Sequence, residues 1–219
     1  MSRNFRGLAL GVAAVLIAGS AHAIPVLQIY IDGATYDTNT ETWVVTDSEF
    51  DIWVIGDVEA VGTILDVKLV ASFFGLSGSM TLTPVTTTTI TDPSTPAAPT
   101  LSTSGTGGHT TLPDHGIFND PTLLGWQDYS LGDMALLDSP IADFNGSESF
   151  PSSFPNSGQV NVYHVVMEGW TKVHFDAYGE TVNSANGKKT FWKSPFSHDG
   201  TVPVADKTFT DVKAIFQQD

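Results

Sequence analysis

The chain has 219 residues, with 24 Asp and Glu against 9 Lys and Arg, a net charge of −15, and no cysteine. An acidic surface of that kind repels nucleic acid and anionic membrane, because the cations that drive such binding are missing. The lack of cysteine excludes disulfides, thiolate zinc centres, iron–sulfur clusters and cysteine nucleophiles.

The first 23 residues read MSRNFRGLALGVAAVLIAGSAHA. Arg3 and Arg6 form a basic start, residues 7–19 are small and apolar, and Ala21-His22-Ala23 fits the small-residue cleavage rule. This pattern predicts a secretory signal peptide, since a membrane span needs about 20 apolar residues. Residues 24–219 then form the mature chain, expected to be secreted or held at the cell surface with no span left in it. Loss of the two leader arginines takes its net charge from −15 to −17.

The mature sequence carries short runs of alternating or β-branched residues between turn-forming clusters. VLQIYI at 26–31, TWVVT at 42–46, FDIWVI at 50–55 and ILDVKLVASFF at 64–74 are predicted strands. In the last of these Val67, Leu69, Ala71 and Phe73 share one face and Asp66, Lys68 and Ser72 the other, as in an antiparallel sheet wet on one side. Weaker Thr-rich strands follow at 79–83 and 85–90. Residues 91–111, TDPSTPAAPTLSTSGTGGHTT, hold too little apolar surface to pack and read as a flexible loop or arm. The region 113–150 mixes turns with isolated apolar residues, with an irregular strand or a short helical turn expected in the stretch around 134–137. QVNVYHVVMEG at 159–169 is apolar on both faces and suits a central strand. WTKVHFDAY at 170–178 puts Val173, Phe175 and Ala177 on one face and Lys172, His174 and Asp176 on the other. The tail at 207–216 reads as a last strand or a short helix. The whole predicts an all-β single domain, an antiparallel β-sandwich of jelly-roll or immunoglobulin-like type.

Five stretches taken together, IPVLQIYIDGATYD, TETWV, HGIF, VHFDAYG and SPFSHD, resemble the choice-of-anchor N family of bacterial exported surface proteins. The resemblance spans most of the mature chain and implies a surface protein of unknown biochemical function. Members often carry a PEP-CTERM sorting tail; this sequence ends DVKAIFQQD, without the Pro-Glu-Pro motif, apolar span or basic terminus. No catalytic residue is implied.

Three His/Asp pairs invite a chemical reading: PDHG at 113–116, VHFD at 173–176 and SPFSHDGT at 194–201. His174 and Asp176, two apart on a strand, project from one face. With His115, His198 and Asp199 they make a candidate mixed nitrogen–oxygen metal site. Against it stands the plainer reading of a solvated strand face and Asp/Gly turns. On that reading SPFSHDGT is a turn closing the sandwich, with Phe196 plugged inside and His198 and Asp199 near the surface. Acidic loops at 128–133 and 143–148 offer oxygen ligands for structural calcium without matching an EF-hand. Trp126 and Trp192, in loop-like surroundings, are candidates for exposed glycan-stacking rings. Hydrolase elbows, H-E-x-x-H and phosphate-binding loops are absent. The expected function is therefore a non-catalytic structural or adhesive sandwich, partnered by itself or by surface polysaccharide. A polysaccharide-binding module, assisted by calcium, is the alternative, and a metal hydrolase using the His/Asp pairs comes third.

Overall fold

The computed structural model describes residues 24–75, 77–85, 98–113, 116–146, 150–195 and 197–201. The predicted leader at 1–23, the pair Asp114 and His115, Phe196 and the tail at 207–216 lie outside them. Among the described residues nearly everything regular is strand. In chain order these are β1 (Leu27–Ile31), β2 (Thr35–Asp37), β3 (Thr42–Val45), β4 (Glu49–Gly56), β5 (Ile64–Phe74), β6 (Ser79–Pro84), β7 (Thr100–Thr106), β8 (Leu123–Met134), β9 (Ser139–Ile141), β10 (Asn156–Glu168), β11 (Lys172–Val182), β12 (Lys189–Lys193) and β13 (Ser197–Thr201). One α-helical turn, α1 (Val58–Val61), starts where Asp57 accepts the Ala60 N–H at 3.1 Å and stops at Gly62, and a 3-10 turn spans Ile117–Asn119.

The strands form two sheets. The order β1-β4-β10-β6 makes one, with β9 also on β10; β2-β3-β13-β11-β5-β8-β7 makes the other, with β12 also on β11. The ladders are antiparallel except β13 with β3. Alternation explains the packing. Leu27, Ile29 and Ile31 of β1, Ile52 and Val54 of β4, and Tyr163, Val165 and Met167 of β10 face Val67, Leu69 and Ala71 of β5 and Val173, Phe175 and Ala177 of β11 in one buried core. Each large aliphatic or aromatic side chain so enclosed contributes roughly 1.5–3 kcal/mol. Gly200 is needed there, since a Cβ would stand 2.7 Å from Met167 and 2.8 Å from Phe50. The antiparallel sandwich expected from the sequence is thus the architecture found.

One local expectation is corrected and one is narrowed. The loop predicted at 91–111 is strand over Thr100–Thr106, where β7 pairs with β8. Its side chains are nearly all exposed and form no apolar face, so backbone pairing holds it, helped by Ser102 Oγ donating to Asp128 O at 3.2 Å. Of the two readings for the stretch around 134–137 the strand is found and the helical turn is not: β8, with register shifts along β5, runs to Met134, whose side chain is buried in the core. Beyond β7 the chain returns across the outer face of the eight-stranded sheet, where Leu112 packs with Val70, Trp126 and Tyr178.

Candidate functional site

That outer face carries the His/Asp chemistry. Because Val173, Phe175 and Ala177 point into the core, His174 and Asp176 point out, and the β13 register sets Asp199 opposite His174. The expected solvated face is corrected: His174 is 1% exposed, and Asp176 and Asp199 are buried. Thr40 and Thr42 from one side and Asn119 and Asp120 from the other wall a cleft of about 560 Å³, with His174, Lys172 and Ser197 lining it.

Within it the His174 ring lies between two carboxylates. Nδ1 makes a short contact with Asp199 Oδ1, and Nε2 lies 3.4 Å from Asp176 Oδ2. Ser197 Oγ donates to Asp176 Oδ1 at 2.6 Å. Lys172 Nζ stands 3.8 Å from Asp199 and 3.9 Å from Asp120. Burial alone would lower the pKa of His174, but the charges and hydrogen bonds of Asp176 and Asp199 outweigh it and raise the value to about 9. The ring is therefore an imidazolium at neutral pH. Ser197 donates to a carboxylate and not to the ring, so the Ser–His–Asp order of a nucleophilic triad is not formed here.

The candidate metal set divides. His174, Asp176 and Asp199 come together, and His115 lies outside the described residues. His198 is opposite Phe175 in the ladder and so shares the core face, away from His174 and Asp199. Among the described residues no group of three His, Asp or Glu side chains could hold a metal ion. The expectation of a surface turn at SPFSHDGT is also corrected, since Ser197–Thr201 is strand between β3 and β11 and His198 is 0% exposed. His198 stacks on Trp43 at 6.3 Å between centroids, and neither ring nitrogen has a hydrogen-bond partner among the described residues. Burial, then the charge of His174, lowers its pKa to about 3, so it is neutral.

A second buried centre escaped the sequence reading. His109 Nδ1 accepts from the Thr111 and Leu112 amides at 3.1 and 3.0 Å. Its Nε2–H therefore donates to Asp128 Oδ1 at 2.9 Å, while Tyr178 donates to Asp128 Oδ2 at 2.8 Å. This knot ties the return segment to β8 and β11. The only sequence signal was a histidine after two glycines in a Thr/Ser-rich run, and its partner is 19 residues away.

The other candidates resolve simply. Trp126, expected at the surface, is 5% exposed on β8, with its ring against His109 at 4.4 Å. Trp192 is half-buried on β12, and its Nε1–H donates to Thr181 Oγ1 at 2.9 Å. The acidic loop expected at 128–133 is strand β8, where Asp128 is used as above and Asp133 accepts the Asp66 N–H at 2.8 Å; in the stretch 143–148 Asp143 accepts the Asn145 N–H at 3.1 Å, and Glu148 lies outside the described residues.

No family model matches the chain, and no curated protein does. Two solved structures match it at low similarity. AvmM, which catalyses macrocyclization in alchivemycin A biosynthesis, is 10% identical with a TM-score of 0.30, over 77% of this chain and 88% of that one. The C-terminal domain of the Streptococcus agalactiae AgI/II polypeptide BspA is 12% identical with a TM-score of 0.28, over 81% of this chain and 50% of that one. Likenesses this distant carry no argument about chemistry.

Proposed function

We propose that the chain is an exported, non-catalytic β-sandwich with a structural or adhesive role at the cell surface, and that it assembles by strand addition at β7. The observation that carries this reading is the condition of its sheet edges. An open edge templates pairing unless it is short, charged, proline-bearing or covered. Edge strand β1 is covered, as Gln28 bonds Ala142 and Phe144 through its side chain and Asn145 donates to Ile29 O at 2.6 Å. β6 ends in Pro84, β2 has three residues, and β12 carries Lys189 and Lys193. β7, TLSTSGT, has seven residues, no charge, no proline and, among the described residues, a partner on one side only. The predicted leader and the family resemblance support the location.

The test is sedimentation velocity on residues 24–219. The wild-type protein is expected to form concentration-dependent oligomers, and the double substitution Leu101→Lys, Thr103→Lys to leave monomers that melt at the wild-type temperature. A wild type that stays monomeric at high concentration would overturn assembly through β7. A second reading, a polysaccharide-binding module, is favoured by the 560 Å³ cleft, whose lining mixes polar side chains such as Asn39, Thr40 and Lys172 with apolar ones, as sugar rings require. Glycan binding by a wild type that stays monomeric, lost in Lys172→Ala, would favour it over assembly.

A further inference from the structure

The outer face of the five-stranded sheet carries two adjoining bands of opposite character. On β4, Trp53 and Asp51 are two residues apart and share that face, about 7 Å from each other along the strand. The ladders set Tyr30 of β1 and Val162 of β10 beside Trp53, and His164 of β10 beside Asp51. The first band is aromatic. Phe144 packs on Tyr30 and Trp53 at 5.3 and 6.0 Å between centroids, and Phe150 and Phe154 lie over these rings while remaining 52% and 39% exposed. The second band is acidic. Asp32, Asp47, Glu49, Asp51 and His164 line an open hollow. Its carboxylates outnumber its one imidazole, which lies 2.8 Å from Asp51 and 3.2 Å from Glu49. Tyr30 joins the bands, donating to Asp32 at 2.9 Å.

We infer that this face docks an extended basic and apolar peptide segment of a partner protein. Charge complementarity selects the occupant. A purely apolar partner would leave the carboxylates to be desolvated without a counter-charge, which is unfavourable. An anionic surface is repelled. In an extended chain, residues i and i+2 project to one side about 7 Å apart, which matches the spacing of the bands. A lysine or arginine then enters the hollow while an apolar side chain two positions away covers Phe150 and Phe154. The surface is separate from β7, so docking here is independent of assembly there.

Fluorescence anisotropy on the mature chain tests this with three labelled probes: lysine and leucine alternating with serine spacers, the same peptide with serine for leucine, and the same with glutamate for lysine. The first is expected to bind at least about tenfold more tightly than the other two. Phe150→Ser with Phe154→Ser should erase its advantage over the serine probe. Glu49→Gln with Asp51→Asn should weaken it about tenfold, whereas Asp138→Asn with Glu180→Gln, removing equal charge elsewhere, should change it by less than about twofold. Equal affinity for both cationic probes, or equal loss in the distant variant, would reduce the effect to general attraction by an acidic protein and overturn the inference. Tight binding of the glutamate probe would overturn it as well. Phe150→Ser alone repeats the test should the double variant melt early.

Discussion

His174 shows how one side chain sets a pH dependence. Its folded pKa of about 9 lies above its unfolded value, which is near 6.5. The native state therefore holds a proton that the unfolded chain releases, and stability is fully present below about pH 6.5 and is lost as pH climbs through about 9. His198 acts oppositely. It is neutral when folded down to about pH 3, so the stability it contributes is present above about pH 6.5 and is lost as pH falls toward 3. Guanidinium unfolding from pH 4 to pH 9.5 is expected to give maximum stability near pH 6.5. His174→Gln should flatten the alkaline limb and cost on the order of 3 kcal/mol at pH 6.5, because Asp176 and Asp199 lose the charge between them. His198→Phe should flatten the acid limb. At pH 7 it should leave stability unchanged or raise it by up to about 1 kcal/mol, since it removes two unbonded nitrogens and keeps the stack on Trp43.

At the scale of elements, the return segment and β7 depend on a few contacts. Gly105 of β7 lies over Trp126, where a Cβ would come within 2.6 Å of the indole ring. Gly105→Val should therefore lift the C-terminal half of β7 off the sheet. Hydrogen exchange is expected to show lost protection at residues 100–106 and intact protection in β4, β10 and β11. Asp128→Ala strips partners from both His109 and Tyr178, whose remaining polar groups stay buried. It should cost roughly 2–4 kcal/mol and open residues 107–113 to limited proteolysis. The sequence alone left these elements hidden. The Thr/Ser run around β7 is read as a loop because strand propensity reports mainly how side chains pack, and the side chains of β7 are nearly all exposed.

For the molecule as a whole, charge is the main unspent stress. With a net charge of −15 the compact state repels itself, and the described ion pairs are few. Sodium chloride from 0.02 to 0.5 M is expected to raise the melting temperature, because screening shortens the Debye length from about 20 Å to about 4 Å. A melting temperature that falls over this range would mean that attractive pairs, chiefly those around His174, outweigh the repulsion. The two outer faces of the sandwich also divide the labour. One carries the histidine centres under its return segment and the cleft beside it, and the other, among the described residues, presents the aromatic and acidic bands.

What the sequence determined by itself was alternation. Period-two patterns gave β1, β4, β5, β10 and β11, the faces of Val173, Phe175 and Ala177 against His174 and Asp176, and hence the sandwich, because side-chain direction in a strand is local. Only the tertiary structure decided which outward faces are wet. His174 and Asp176 read as a solvated pair until residues far off in sequence close over them. His198 and Asp199 read as a turn until β3 and β11 flank them. His109 found Asp128, and Trp126 its cover, through contacts between segments. Local pattern fixes direction, but burial depends on what the rest of the chain brings to that face.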